Sequence, residues 1–103
     1  MDAQTENGTG SMKSFQDHGY AFALKIIRLY VKLPDRPLEQ CIGKQLLRSG
    51  TSVGSQLSEG KRSRSRAEII SKTESAAQEL EESIYWMKLL RDSANGTSFG
   101  LDA

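Results

Sequence analysis

The sequence predicts an all-α protein, folded as an antiparallel up-and-down helical bundle. Three segments carry apolar residues at helical spacing, and short turns separate them, so neighbouring helices should run in opposite directions. No segment alternates polar and apolar residues as a half-buried strand does. A chain of 103 residues provides enough length for one domain.

The two ends of the chain differ in composition from its middle. Residues 1–13 have no apolar period and contain a Gly-Thr-Gly-Ser run, which indicates a disordered leader or an expression remnant outside the domain. Residues 93–103 are rich in Ser, Asn and Gly, with only Phe99 and Leu101 to bury, and predict a flexible tail. We therefore expect the bundle domain at residues 14–92.

The first helix is predicted over residues 14–33 and should end before Pro34. After position 17 its only charges are Lys25, Arg28 and Lys32, whose spacing of i, i+3 and i+7 places them on one stripe. The remaining surface is apolar and wider than one neighbouring helix can cover. Contacts on two sides of this helix are therefore expected.

The second helix is predicted over residues 38–58, with Pro37 at its first position. Its apolar phase continues through residues 49–55, SGTSVGS, although this segment has low helix propensity. Small residues there either let another helix backbone approach closely or form an internal loop, and the unbroken phase favours close packing. Cys41 has apolar neighbours in the sequence and is expected to be a buried, unreactive thiol.

The third helix should begin at a capping box, in which Ser65 and Glu68 each satisfy a free backbone amide. Its apolar positions then continue for about 27 residues without a helix breaker. Glu79 and Glu82 lie one turn apart on this helix. We expect them to pair with basic residues of the second helix across the bundle, either Arg48 or Lys44.

The composition argues against an enzyme and against a cofactor. One cysteine cannot form an internal disulfide, and one histidine with one cysteine does not make a metal-ligand set. A dinuclear site at the two glutamates would need a Glu-x-x-His pair on each of two helices. The sequence contains no Ser/His/Asp or Cys/His arrangement and no glycine-rich loop between a strand and a helix.

The formal net charge of +1 conceals a strong asymmetry. Residues 25–66 contain ten basic and three acidic residues, whereas residues 67–92 contain three basic and six acidic ones. One interpretation is a basic surface that contacts phosphates, and the alternative is salt bridging with the acidic third helix, within or between subunits. The candidate phosphate-contacting residues are Lys25, Arg28, Lys32, Lys44, Arg48, Lys61, Arg62, Arg64 and Arg66.

Three ordered motifs resemble one known family. QLLRSGTSVG at residues 45–54, SRSRAEIISK at 63–72 and ESIYWMKLL at 82–90 look like the four-helix-bundle proteins encoded in intervening sequences of bacterial large-subunit ribosomal RNA genes. That family is similar to the accessory proteins of diversity-generating retroelements. The resemblance implies a ring-shaped homopentamer without enzymatic activity, and a nucleic-acid or reverse-transcriptase partner.

The resemblance also exposes a difference at the end of the chain. Family members follow the YWxxLL ending with a turn and a fourth amphipathic helix, which residues 93–103 do not provide. The fourth helix is therefore expected to be absent or replaced. The groove between the first and third helices should then be open or filled by another subunit.

These observations predict a non-enzymatic homo-oligomer that contacts nucleic acid through its basic surface. The alternatives are a protein scaffold, such as a reverse-transcriptase partner, and a bare assembly module without a nucleic-acid role. A core of this size seldom supplies more than ~3–5 kcal/mol, which favours oligomerisation. Without a signal peptide or membrane span, a cytoplasmic location is expected. The interface should use the large aromatic residues Tyr20, Phe22, Tyr30, Tyr85 and Trp86.

Overall fold

The computed structural model describes the backbone of residues 3–93 and the side chains of residue 14 and residues 16–93. Within residues 3–93 the chain forms three α-helices and no strand: α1 (Ala3–Lys32), α2 (Pro37–Lys61) and α3 (Arg66–Ser93). The all-α prediction is confirmed. Residues 94–103, on which the expected loss of the fourth helix largely depends, lie outside the described residues, so that expectation stays a prediction.

The helix ends follow the signals in the sequence, with differences of a few residues. α2 begins at Pro37, which the sequence predicts as its first residue. It continues three residues past the predicted end at position 58 and closes at Lys61. α1 begins at Ala3, eleven residues before the predicted start. The division of residues 1–13 from the domain stays a prediction, because their side chains are not described.

The turn between α1 and α2 is fixed by side chains from both helices. The Tyr30 hydroxyl donates to Gln40 Oε1 at 3.0 Å, and Gln40 Nε2 donates to the carbonyl oxygen of Pro34 at 3.2 Å. Arg36, directly before α2, pairs with the buried Glu39 carboxylate at 2.8 Å. These bonds satisfy polar groups that the turn would otherwise leave unpaired.

The capping box at the start of α3 is confirmed. Ser65 Oγ accepts a hydrogen bond from the Glu68 amide at 3.1 Å. The Glu68 carboxylate accepts one from the Arg64 amide at 3.1 Å, one residue before the amide that a capping box usually uses. Both interactions fix the first turn of α3 to residues 62–65, the turn that precedes it.

Close packing of small residues joins α1 to α2, and the internal-loop interpretation of residues 49–55 is wrong. A Cβ atom added at Gly54 would lie 3.0 Å from the carbonyl oxygen of Gly19 and 3.2 Å from its carbonyl carbon. One added at Gly50 would lie 2.7 Å from Cγ1 of Ile26. Glycine is therefore required at these helical positions despite its low helix propensity, because the α1 backbone and the Ile26 side chain occupy the space that a larger residue would need.

α2 is the central helix of this part of the chain. α1 and α3 each pack against it, and within residues 3–93 no Cα atom of α1 lies within 8 Å of one from α3. The largest group of buried apolar side chains lies where all three helices contribute, and it consists of Ile26, Leu33, Leu46 and Leu90. Two helices on one central helix leave large apolar surfaces uncovered.

Cys41 is exposed, so the prediction of a buried thiol is wrong. The buried face of α2 runs through Gly43, Leu46 and Gly50. At about 100° per residue, Cys41 lies roughly 140° around the helix from Leu46. Its apolar neighbours in the sequence therefore do not surround it in space.

Candidate interaction surfaces

Arg48 links α2 to α3 through two carboxylates. Its Nη1 lies 3.4 Å from Glu79 Oε1, and its Nη2 donates to Glu82 Oε2. The same Glu82 oxygen accepts a hydrogen bond from Trp86 Nε1 at 2.9 Å. The predicted pairing of the two glutamates with Arg48 is confirmed, and Lys44 forms no ion pair among the described side chains. Arg48 is thus engaged within the subunit.

The network shifts the pKa values of its members. Hydrogen bonds from Trp86 and then from Arg48 lower the pKa of Glu82. The hydrogen bond to Glu82 raises the pKa of Arg48. A second ion pair joins the same helices nearer the turn between α2 and α3. Lys72 Nζ lies 2.7 Å from Glu59 Oε1 and lowers the pKa of that carboxyl. Each shift favours the charged form of the pair that joins α2 to α3.

Arg48→Ala should lower the melting temperature by roughly 2–5 °C, because it leaves two neighbouring carboxylates of α3 without the α2 cation that they share. The measurement is thermal unfolding followed by circular dichroism. Arg91→Ala is the matched control, since among the described side chains Arg91 pairs only with the adjacent Asp92 on its own helix. An unchanged melting temperature and solution mass for Arg48→Ala would refute the role of this network.

Acid should weaken the contact between α2 and α3. Because folding lowers the pKa of Glu82, its carboxylate contributes stability above the unfolded pKa of about 4.3. That contribution disappears as pH falls through the lower folded pKa. We expect the melting temperature to drop between about pH 5 and 3, and to drop less in Glu82→Gln. Asp35→Asn, an exposed turn substitution, should keep the parent profile, and equal slopes for both variants would argue against this assignment.

Two fully buried serines form a polar contact that sequence reasoning missed. Ser83 Oγ lies 2.9 Å from Ser49 Oγ, and each hydroxyl also reaches a carbonyl oxygen one turn earlier in its own helix. Ser49 occupies an apolar phase position of α2, which was the available signal. The pair lets α2 and α3 approach closely while their hydroxyl groups stay hydrogen-bonded.

The nine candidate cations fall into three separate groups. Leu33, which directly follows Lys32, packs against Gly43 in the first part of α2, whereas Lys61 is the last residue of α2. Gly43 and Lys61 are 18 residues apart, which is about 27 Å along the helix. Of the nine, Arg48 alone takes part in an ion pair among the described side chains. Pairing of the others across subunits stays a prediction. The groups are Lys25, Arg28 and Lys32 on α1; Lys44 and Arg48 on α2; and Lys61, Arg62, Arg64 and Arg66 around the turn that precedes α3.

The basic turn is the densest of these groups. Its four cations occur within six residues and are all exposed. At its base, Lys61 borders an open surface pocket with Gln16, Asp17 and Tyr20 of α1. We define the basic turn as Lys61, Arg62, Arg64 and Arg66.

Among the described residues, a groove lies between α1 and α3. It has a volume of about 340 Å³ and exposes mainly apolar atoms. α2 forms its floor, and its described lining is His18, Gly19, Phe22, Val53, Leu57 and Leu80.

The five predicted interface aromatics have different environments. Tyr30 is half-buried and holds the first turn. Trp86 is half-buried against the core and bonded to its own helix, and Phe22 lines the groove. Tyr20 is 67% exposed, and Tyr85 is also exposed, with its ring edge-to-face against Trp86 at a centroid distance of 5.0 Å. Tyr20 and Tyr85 are thus the two whose rings remain available to another molecule.

Two apolar stripes lie on the described surface. On α1, Tyr20, Leu24, Ile27 and Val31 follow i, i+4, i+7 and i+11 spacing, which places them on one face, and Val31 is 72% exposed. On α3, the exposed residues recur at i, i+7, i+10 and i+14, and Ile70 is 49% exposed. We define the α1 stripe as Tyr20, Leu24, Ile27 and Val31, and the α3 stripe as Ile70, Ala77, Leu80 and Ile84.

Among the described side chains, no group of three His, Cys, Asp or Glu residues is placed to hold a metal ion. None of the helices within residues 3–93 is long and apolar enough to cross a membrane.

Comparison with known proteins identifies the family. A crystal structure of a protein with unknown function from the S23 ribosomal protein family of Bacteroides thetaiotaomicron VPI-5482 is similar to this chain, with 37% sequence identity and a TM-score of 0.73. The similarity covers 81% of this chain and 77% of that one. No curated protein matches the sequence. The family model described as 23S rRNA-intervening sequence protein matches residues 14–98, and the chain therefore belongs to that family.

Proposed function

We propose that the protein is a non-enzymatic assembly module, which works as a homo-oligomer in the bacterial cytoplasm. The observation that carries this proposal is the pair of exposed apolar stripes. Surface leucine, isoleucine and aromatic residues are ordinary when scattered singly, but contiguous apolar stripes mark interaction sites. Here two helices present such stripes at helical spacing.

The small core supports the same proposal. Few apolar side chains are buried in the described part of the chain, because α1 and α3 share only α2 as a partner. A domain of this size usually needs an additional source of stability. Burial of the stripes against other copies would supply it at about 25 cal/mol per Å² of apolar surface removed from water.

The test is the solution mass of the full chain, measured by light scattering across a tenfold range of concentration. We expect a single species with several times the chain mass of 11.4 kDa. Five copies would agree with the ring that the family resemblance implies. A monomer at every concentration would contradict the proposal.

A second candidate function, binding of nucleic acid, is favoured by the basic turn. Its four cations are exposed, crowded and outside the described ion pairs, and such clusters provide sequence-independent attraction for phosphates. Fluorescence anisotropy with single-stranded and duplex RNA and DNA, repeated across a salt series, tests it. Binding that falls steeply with salt would support this function, whereas no binding at low salt would leave the bare assembly module.

A further inference from the structure

We infer that the first half of α3, residues 66–78, opens away from α2 as a unit while the second half, residues 83–93, stays in place. The ion pair of Lys72 with Glu59, which we call the latch, holds the first half closed. The inference goes beyond the proposed assembly and does not depend on it. Three features of the described residues support it: the apolar burial, the polar contacts and the position of the first half.

The two halves of α3 differ in the apolar side chains that they bury. Within residues 66–78, Ala76 is the single buried residue. In the second half, Leu90 is fully buried in the core, and Trp86 and Met87 pack against the same cluster. Because burial of apolar surface is the main force that holds a helix in place, the first half is the weakly held part of α3.

Polar contacts do not compensate for this difference. Lys72 Nζ lies 2.7 Å from Glu59 Oε1, but the two side chains are 38% and 50% exposed. A pair with this exposure contributes little to stability and is screened by salt. The stronger polar link, between Arg48 and the carboxylates of Glu79 and Glu82, lies at the boundary of the two halves. It fixes the point at which the opening stops.

The first half of α3 lies beside the last part of α2 alone. Ser83 contacts Ser49, and α3 runs antiparallel to α2. Ala76, seven residues before Ser83, is therefore level with position 56, seven residues after Ser49. No contact joins α1 to α3 within residues 3–93, so the opening breaks the packing of the first half against α2 only.

The opening would move part of the basic turn. Arg62, Arg64 and Arg66 follow the end of α2, and the Arg64 amide donates to the Glu68 carboxylate of α3. In the closed state these cations are held between the ends of two helices. In the open state they can adjust to the spacing of the groups that they bind, so a polyanion with higher affinity for the open state shifts the balance toward it.

Hydrogen exchange of the full chain, followed by mass spectrometry of its peptic peptides, measures the opening. The amides of both halves are bonded in one continuous helix, so a rigid α3 would protect them to a similar degree. We expect the amides of residues 70–78 to exchange at least about tenfold faster than those of residues 83–90. Raising sodium chloride from about 0.1 M to about 1 M should speed the first set further and leave the second unchanged.

Substitutions of the latch test its role. Lys72→Gln should speed the exchange of residues 70–78 by about two- to fivefold. Lys88→Gln, an exposed change in the second half outside the described ion pairs, is the matched control and should alter neither half. Glu59→Gln should reproduce the effect of Lys72→Gln, and the double variant should add little to either, because each removes the same pair.

Two results would overturn the inference. Equal exchange in residues 70–78 and 83–90 would mean that α3 moves as one rigid helix and that the first half does not open. Faster exchange of the first half in both Lys72→Gln and Lys88→Gln, or in neither, would remove the latch. The solution mass of each variant is compared with that of the parent chain, so that an effect of assembly on exchange is recognised.

Discussion

Gly54→Ala should destabilise the protein by about 1–3 kcal/mol, although alanine stabilises an exposed helix by roughly 0.5–1 kcal/mol relative to glycine. The sign reverses because the new Cβ would meet the carbonyl group of Gly19 at 3.0–3.2 Å. Backbone atoms cannot rotate away as a side chain can, so the two helices must separate. Urea unfolding at one fixed protein concentration measures the change.

Two other substitutions make this prediction specific. Ser71→Ala, at an exposed position of α3, tests helix propensity alone and should be neutral or slightly stabilising. Gly50→Ala should also destabilise, but its obstacle is the Ile26 side chain, at 2.7 Å from the new atom. Shortening that side chain in Gly50→Ala/Ile26→Ala should recover part of the loss, whereas Gly54→Ala has no side chain to shorten. Equal stability of Gly54→Ala and Ser71→Ala would mean that α1 and α2 do not approach this closely.

The starts of α2 and α3 were predictable because local chemistry sets them. Pro37 fits the first turn of a helix, and Ser65 with Glu68 caps the next one, whatever the rest of the chain does. The close approach at residues 49–55 was also predictable, since the apolar phase continued through small residues. The pairing of Arg48 with Glu79 and Glu82 followed from their spacing and opposite charge.

The burial pattern of α3 was not predictable from its own periodicity. Leu80 and Ile84 belong to its regular apolar series, yet both remain exposed, while Ser83 is fully buried. Periodicity identifies an apolar face but does not say which neighbour covers it. Here α3 contacts α2 through a seam that includes Ala76 and Ser83, and α1 does not reach the remaining face.

The separation of the cations into three groups was not predictable from the sequence either. A count of ten basic residues over residues 25–66 treats a helix, a turn and a second helix as one region. The antiparallel path instead carries Lys32 and Lys61 to opposite ends of the bundle. Only the basic turn keeps in space the density that it has in the sequence, because its members are separated by at most one residue.

If the basic turn binds nucleic acid, Lys61→Gln/Arg64→Gln should make binding less dependent on salt concentration. The effect should be the same for every nucleic-acid sequence, because phosphate contacts do not read the bases. The slope of log K against log salt is negative, and each lost phosphate contact makes it less steep by about 0.9 on duplex DNA. Two lost contacts per bound subunit therefore make it less steep by about 1.8. Between 50 and 200 mM salt, the parent chain should therefore lose roughly tenfold more affinity than the variant. Fluorescence anisotropy on a mixed-sequence duplex measures both slopes.

The matched control is Lys44→Gln/Lys88→Gln, which removes the same charge from exposed positions on two helices, away from the turn. If only net charge mattered, the two double variants would show the same reduced slope. A local phosphate site at the basic turn instead requires the control to keep the slope of the parent chain.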